Sequence, residues 1–248
     1  MKLTIAGSGG SAVGKKRACP CFVLDNSRIF DLGPGALKNL RASGITFDRV
    51  SRVFISHTHA DHISDLVPFL WAIQIDGRKQ PLEIYGPPNF KNTFHRLLEC
   101  TSTPADFFKF PLTVAEVDFG ESIENITTCR TFHSIPTLAF RVSSPDNKSF
   151  CYTADTIFCP AVVKLASGVD LLLHEATFLQ DQEEIAELTY HSTARMAGRA
   201  GKESGAKRLV LFHIPPPNEE RDHDFRAEAK EEYRKDVVVG QDLTSIEF

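Results

Sequence analysis

A cluster of metal-binding side chains constrains this chain more than any other feature of its sequence. His57, His59, Asp61 and His62 lie within six positions, directly after the apolar run at residues 53–55. Because alternate residues of an extended chain point to the same side, His57 and His59 can converge on one ion. Asp61 and His62 fall where the chain turns and can face a second ion. Imidazole and carboxylate ligands suit Zn²⁺, Mn²⁺ or Fe.

The composition argues against several classes of protein. The chain has 248 residues and a formal net charge of −4, so an overall basic surface for nucleic acid is not expected. No apolar run approaches the roughly 18 residues of a membrane span, and the apolar stretch at residues 1–6 is too short for a signal-peptide core. The six cysteines are scattered and are expected to be reduced thiols. We therefore expect a cytoplasmic protein with no membrane partner.

The pattern of apolar runs predicts a mixed α/β architecture. No linker or composition break divides the chain, so residues 1–248 are expected to form a single domain. Strands interspersed with helices favour two sheets covered by helices, a four-layer αββα sandwich. Pro68 is expected to kink or interrupt the first predicted helix. Helices are predicted at residues 63–75, 89–100, 161–166, 193–204 and 225–233. Strands are predicted at residues 3–6, 22–25, 28–31, 53–56, 82–85, 112–117, 126–132, 138–142, 149–153, 170–174, 208–213 and 236–239.

The segment from His57 to His62 resembles the H-x-H-x-D-H signature of the metallo-β-lactamase superfamily. The resemblance implies three more ligands downstream, each after a predicted strand, and His133, Asp155 and His213 occupy those places in order. It further implies how the seven ligands are shared between two ions. The first ion is expected on His57, His59 and His133, the second on Asp61, His62 and His213, and Asp155 is expected to bridge both.

Such a centre has a well-defined chemistry. Two ions about 3.5–4 Å apart can hold a hydroxide between them, and metal binding lowers the pKa of that water towards neutrality. We expect two divalent ions per chain, Zn²⁺ first, with Mn²⁺ or Fe as alternatives. Asp31, which precedes Gly33 by two positions, also resembles a family position. There, a carboxylate accepts a hydrogen bond from a ligand histidine and fixes its tautomer.

Two later segments are similar to a narrower group, the ribonuclease Z-like branch. Residues 174–177 read His-Glu-Ala-Thr and residues 191–193 read His-Ser-Thr, as in that branch. The resemblance implies that His191 protonates the leaving oxygen of a phosphodiester and that Glu175 supports the site. The catalytic set is then His191, Glu175 and the ligand Asp61. Ser192 or Thr193 is expected to cap the following helix.

Three departures from the branch weaken the case for processing of transfer RNA. Many bacterial members carry a long arm between the third and fourth metal motifs, whereas His133 and Asp155 are only 22 positions apart here (155 − 133 = 22). The branch's Arg-Asn pair near the N-terminus appears as Arg17-Ala18, and a Pro-rich stretch at residues 214–217 replaces its usual Ser-Arg-Tyr-like segment. The end of the chain, residues 238–248, resembles the branch's terminal strand.

The expected function is therefore hydrolysis of a small or flexible phosphodiester, such as a cyclic nucleotide, by a dinuclear metal centre. One alternative is a ribonuclease Z-type endonuclease that trims the 3′ end of tRNA. Another is a hydrolase of lactones, thioesters or carboxylic esters. A non-catalytic binding protein is disfavoured by the complete ligand set. The expected partners are thus a small-molecule or nucleotide substrate, nucleic acid as second choice, and a second copy of the chain in a homodimer.

Two smaller features carry weaker predictions. The spacing of Cys19 and Cys21 is compatible with an additional metal site, which would need a further ligand from elsewhere in the chain. The basic run from Lys15 to Arg17 is expected to lie in a solvated turn.

Overall fold

The computed structural model describes residues 1–104 and 106–248, which form two seven-stranded sheets packed face to face. Helices cover the outer face of each sheet, so the four-layer αββα sandwich is confirmed. The strands of the first sheet are β1 (Lys2–Gly7), β2 (Cys21–Leu24), β3 (Arg28–Phe30), β4 (Arg52–Phe54), β5 (Leu82–Gly86), β6 (Leu112–Glu116) and β14 (Thr244–Glu247). Those of the second are β7 (Ser122–Ile123), β8 (Ile126–Arg130), β9 (Leu138–Ser143), β10 (Ser149–Tyr152), β11 (Leu171–Glu175), β12 (Leu209–Phe212) and β13 (Val237–Val239). The first sheet has the order β14-β1-β2-β3-β4-β5-β6 and the second the order β13-β12-β11-β10-β9-β8-β7.

Three apolar cores separate the four layers. Strand β2 shows how one strand serves two of them, because side chains alternate along it. Phe22 and Leu24 face the second sheet, whereas Cys21 and Val23 face the helices outside the first sheet. A strand that is covered on both faces therefore reads as a continuous apolar run.

The eight α-helices within the described residues are α1 (Ala36–Ala42), α2 (Ala60–Ile63), α3 (Leu66–Ile75), α4 (Phe90–Cys100), α5 (Pro160–Leu165), α6 (Glu183–Thr189), α7 (Ala194–Ser204) and α8 (Asp222–Tyr233). Helices α1, α3 and α4 cover the first sheet, and α5, α7 and α8 cover the second. None of these helices combines the length and the apolar composition needed to cross a lipid bilayer.

The helix predicted at residues 63–75 differs from the prediction. The helix is interrupted at Ser64 and Asp65, between α2 and α3, and Pro68 lies inside the first turn of α3. Proline is tolerated in a first turn, because the amide there has no partner within the helix. The interruption therefore precedes Pro68, where the amide of Asp65 instead donates to the carbonyl of Leu32.

The elements α1, α6 and β7 were not predicted from the sequence, and α2 lies almost entirely ahead of the helix predicted from residue 63. The terminal segment at residues 238–248 is also not one strand, because it contains the end of β13 in the second sheet and all of β14 in the first.

Arg17 does not lie in a solvated turn, and this part of the prediction is wrong. Its side chain is only 4% exposed, and its guanidinium donates to the hydroxyl of Ser8, the carbonyl of Gly240 and the carboxylate of Asp222. Charged side chains are buried only when they are paired in this way. Arg17 thus ties the loop after β1 to the C-terminal part of the chain.

The connectivity gathers strand ends at one edge of the sandwich. Strands β3 to β6 are parallel, and so are β10 to β13. The loops that follow β4, β10, β11 and β12 emerge at the carboxyl ends of these strands, where open α/β sheets bind their ligands.

Candidate metal centre

All seven predicted metal ligands meet at this edge of the sandwich. His57 and His59 follow β4, and Asp61 and His62 lie on α2, in the same connection. The other three come from the second sheet, after β8, β10 and β12 respectively: His133, Asp155 and His213. The centre therefore lies at the junction of the two sheets and takes side chains from both.

The first group comprises His57, His59, His133 and Asp155, whose ligand atoms lie within 4.8 Å of one another. Nδ1 of His59 is 3.1 Å from Nε2 of His57 and 3.2 Å from Nε2 of His133. Oδ2 of Asp155 lies 3.6 Å from Nε2 of His57. The three imidazoles thus present one nitrogen each to a common point beside a carboxylate.

The second group comprises Asp61, His62, Asp155 and His213, again within 4.8 Å. Nε2 of His213 is 3.2 Å from Oδ2 of Asp61 and 3.4 Å from Nε2 of His62. Oδ1 of Asp155 lies 3.3 Å from Nε2 of His62. Asp155 belongs to both groups, because its Oδ2 lies 3.6 Å from Nε2 of His57 in the first and 3.4 Å from Nε2 of His213 in the second. This position between the two groups suits a bridging ligand. The grouping is the one that the sequence implies, and the ligand roles themselves stay a prediction.

Two imidazoles of the connection after β4, those of His57 and His62, are positioned by one buried carboxylate. Asp31 accepts from Nδ1 of His62 at 2.8 Å and from the hydroxyl of Ser56 at 2.7 Å. The hydroxyl of Ser56 in turn lies 2.9 Å from Nδ1 of His57. Tyr152 also donates to Asp31. This contact pattern leaves Nε2 of both histidines free for the centre, as the expectation for Asp31 requires.

The histidines of the second sheet have comparable supports. Nδ1 of His133 lies 3.2 Å from the carbonyl of Tyr190. Nδ1 of His213 lies 2.8 Å from the hydroxyl of Thr177, which itself donates to Glu175 at 2.9 Å. A ring nitrogen that is held in this way fixes the tautomer and aims the other nitrogen at the ion.

The charge state of the centre suits a cation. Burial lowers the pKa of His57, His59 and His133, so these imidazoles are neutral near pH 7. Burial alone would raise the pKa of Asp155, but the neighbouring histidines, His213 first, hold it well below its usual range. Neutral imidazoles and ionised carboxylates are the forms that bind metal. Burial alone would lower the pKa of His62, but Asp155 and Asp31 outweigh it and raise that pKa, so His62 would release a proton on binding a metal.

One buried atom tests the fit of a metal directly. Oδ1 of Asp155 is buried and accepts no hydrogen bond from the described residues, although Nε2 of His62 lies 3.3 Å away. An ionised oxygen in that position is costly unless it is paired or coordinates an ion. Together with the converging imidazole nitrogens, it indicates that divalent cations fit both groups, and the centre is a divalent-metal site.

His191 and Glu175 form a pair beside the centre. Nδ1 of His191 is 2.9 Å from Oε1 of Glu175 and 4.0 Å from Oδ2 of Asp155. Glu175 is fully buried at the end of β11 and also accepts from the amides of Thr156 and Thr177. Burial lowers the pKa of His191, but the charge of Glu175 and its hydrogen bond outweigh this and raise the pKa to about 9. Among the described residues, none hydrogen-bonds to Nε2 of His191.

The loop after β1 closes the other side of the centre. The amide of Ser11 donates to Oδ2 of Asp61 at 2.8 Å. A Cβ at Gly10 would lie 2.2 Å from Nδ1 of His213, so only glycine fits at this position. His213 itself has a φ of 68° and Asp31 a φ of 58°. Non-glycine residues in this left-handed region are uncommon and cluster at functional sites.

Several supporting residues were not predicted from the sequence. Ser56, Thr177 and Tyr190 act through side-chain or carbonyl contacts that become visible only once the strands are paired. Thr177 stands inside the His-Glu-Ala-Thr segment and could have been found there. Thr193 is the helix cap at the start of α7, because its side chain accepts from the amide of Met196.

Cys19 and Cys21 are not part of any metal cluster within residues 1–104 and 106–248. Both thiols are buried, and burial raises the pKa of Cys19 to about 12. A protonated, buried thiol is a poor ligand.

Comparisons with known proteins agree with the geometry. Residues 29–214 match the family model of the beta-lactamase superfamily domain. The ribonuclease Z of Myxococcus xanthus is 28% identical over 273 residues, which cover 89% of this chain and 88% of that protein. The ribonuclease Z of Methanothermobacter thermautotrophicus is 29% identical over 269 residues, with 86% of each chain covered. The crystal structure of the short form of human tRNase Z superposes with a TM-score of 0.83 at 27% identity, covering 100% of this chain and 99% of that one.

Proposed function

The chain belongs to the beta-lactamase superfamily, as a metal-dependent hydrolase, and from this premise we propose that it cleaves phosphodiester bonds in RNA. The similar ribonuclease Z proteins and the similar human tRNase Z support RNA as the substrate class. The sequence alone favoured a small phosphodiester and placed this activity second. These relatives reverse that order.

One observation carries the proposal, which is the position of His191 beside both ligand groups. Hydrolysis of a phosphodiester with a poor leaving group needs a proton donor on the departing oxygen. Glu175 holds Nδ1 of His191 at 2.9 Å and favours the imidazolium. Nε2 is then the nitrogen that donates a proton to the leaving oxygen.

The seven remaining residues would hold two ions. His57, His59 and His133 would bind the first, Asp61, His62 and His213 the second, and Asp155 both. Two divalent ions bound there would activate a water molecule at neutral pH and neutralise charge that develops on the phosphoryl oxygens. Zn²⁺ is the proposed metal, and Mn²⁺ or Fe are alternatives that this ligand set also suits.

The experiment is a cleavage assay on a precursor tRNA with a 3′ extension, using the full chain loaded with Zn²⁺ or Mn²⁺. We expect cleavage at the 3′ side of the acceptor stem. Because the net charge is −4, the grip on RNA rests on local contacts and should be weak and strongly salt-sensitive. Intact RNA, alongside rapid hydrolysis of a lactone or thioester, would contradict the proposal.

A second candidate is hydrolysis of a small phosphodiester such as a cyclic nucleotide. The observation that favours it is the short turn at residues 144–148 between β9 and β10, which leaves no room for the arm that the resemblance implies between His133 and Asp155 in many bacterial members. A 2′,3′-cyclic nucleotide and bis-p-nitrophenyl phosphate in the same assay distinguish the two. Hydrolysis of both with no cleavage of RNA would favour the second candidate.

A further inference from the structure

Two aromatic side chains accompany the two histidines at the outer side of the centre. Phe132 directly precedes His133, and Tyr190 directly precedes His191. The rings of Phe132 and Tyr190 are 5.6 Å apart between centroids and tilted by 57°. The rings of His133 and His191 are 5.1 Å apart. An outer aromatic pair thus lies beside an inner histidine pair, one residue from it along each chain segment.

Both large aromatic side chains of the outer pair are exposed to solvent. Phe132 is 57% exposed and Tyr190 39% exposed. On α6, next to Tyr190, Ile185 and Leu188 are also exposed. An exposed pair of aromatic rings next to a polar cleft is typical of a binding site.

The backbone holds Tyr190 in a specific position. Its φ is 59°, in the left-handed region that most side chains avoid. The amide of His191 donates to the carbonyl of Ala186, and the carbonyl of Tyr190 meets Nδ1 of His133 at 3.2 Å. The same turn that sets the tyrosine therefore also orients a predicted metal ligand.

The charges around the pair show which part of a substrate fits there. Helix α6 carries Glu183, Glu184 and Glu187, so a phosphate would be repelled from this side. An uncharged, planar group would be accepted. Nucleobases meet this description, since every base has a π-face that stacks on aromatic side chains without requiring a particular sequence.

We propose that Phe132 and Tyr190 form a stacking platform for the nucleobase next to the phosphate that is cleaved. This proposal rests on the proposed cleavage of RNA. It adds to it a binding position, on one side of the centre, for the base of an unpaired nucleotide. It selects a single-stranded position over a paired one, whose base is already stacked in the helix.

Binding of mononucleotides tests the platform without any catalysis. Calorimetry on the full chain loaded with Zn²⁺ would compare the four nucleoside 5′-monophosphates with ribose 5-phosphate, which has the same phosphate and sugar but no base. Stacking on one side chain contributes a factor of about 5–150 in affinity. We expect at least one nucleotide to bind about 5-fold or more tightly than ribose 5-phosphate.

Paired variants test whether the two rings cause the tighter binding of nucleotides. Phe132→Ala and Tyr190→Asn should remove it, whereas Phe132→Trp and Tyr190→Phe should retain it. Asparagine tolerates a positive φ, so Tyr190→Asn removes the ring without adding backbone strain. Ile75→Ala on α3, at a side chain that is 74% exposed, is the matched control and should bind as the unmodified chain does.

The outcomes separate the platform from the function. Equal affinity for nucleotides and ribose 5-phosphate, or a preference that survives both Phe132→Ala and Tyr190→Asn, would overturn the platform even if RNA is cleaved. A preference lost in both variants, with no cleavage of any phosphodiester, would leave the platform standing and reject the proposed function. If Phe132→Ala instead dissociates a dimer in light scattering and leaves nucleotide binding unchanged, the patch is a contact between copies and the platform is wrong.

Discussion

The fully buried carboxylate of Glu175 lies 2.9 Å from Nδ1 of His191, and each group alters the charge of the other. Burial would raise the pKa of Glu175, but the charge of His191 lowers it. In the opposite direction, Glu175 helps to raise the pKa of His191 to about 9. The pair is therefore an imidazolium and a carboxylate near neutral pH, with Nε2–H as the proton available to a substrate.

His191→Ala removes the proposed proton donor. We expect kcat to fall by roughly 10²–10⁴-fold on a nucleoside phosphodiester, the usual contribution of a general acid. The loss should be much smaller on bis-p-nitrophenyl phosphate, because nitrophenolate leaves without a proton. Elemental analysis should find the metal content unchanged. Equal losses on both substrates in a folded, metal-loaded variant would show that His191 is not the donor.

Glu175→Gln keeps the shape of the pair and removes its charge. The carboxylate favours protonated His191, so its loss lowers the pKa of His191, and the donor loses its proton at a lower pH. The basic limb of the pH profile of kcat should therefore move to lower pH, with a larger loss at pH 8.5 than at pH 6. Measured profiles that differ only by a constant factor would argue that Glu175 merely supports the fold.

Asp155→Asn should remove most of the metal, because one carboxylate serves both groups. The unmodified chain is expected to hold two divalent ions, measured by elemental analysis after purification without chelator. Asp170→Asn is the control, since Asp170 is also a buried carboxylate of the second sheet but pairs with Lys207 away from both groups. The assignment of Asp155 as a bridge fails if the two variants retain the same metal content.

Gly10→Ala should damage the centre through shape alone. The added Cβ would lie 2.2 Å from Nδ1 of His213, where Thr177 holds the ring at 2.8 Å. Disturbing the support of a ligand histidine typically costs about 10–100-fold in metal affinity. Gly44→Ala serves as the control. It adds backbone strain at a φ of 70° but has nothing within 4 Å, so it should lower thermal stability and leave metal affinity unchanged, as a zinc titration would show.

The ligands that could be predicted from the residues alone are those that lie close together in the sequence. His57, His59, Asp61 and His62 stand in one short segment after a strand, so the spacing itself indicates convergence. His133, Asp155 and His213 needed the family resemblance, because nothing local distinguishes a ligand at a strand end from a structural residue.

The remaining features depend on contacts across the fold. Arg17 reads as part of a basic surface run, yet Asp222 and Gly240, more than two hundred positions away, pair with it in the interior. Helix α6 is only seven residues long and exposes Ile185 and Leu188, so its apolar pattern does not mark a buried face. The elements with long periodic patterns, such as α4 and α7, were predicted with nearly the observed bounds.

The hairpin of β9 and β10 separates an exposed turn from the metal centre. Its turn at residues 144–148 joins paired Ser143 and Ser149 at the start of β10. Asp155 follows the opposite end of that four-residue strand, which is roughly 13 Å long. Lengthening an exposed turn costs little, about 0.6 kcal/mol for each doubling of its length. Extra sequence can thus be gained or lost at this tip without moving a metal ligand. Insertion of an RNA-binding segment at this turn, by evolution or by design, could therefore change which substrate the enzyme binds while leaving the metal centre intact.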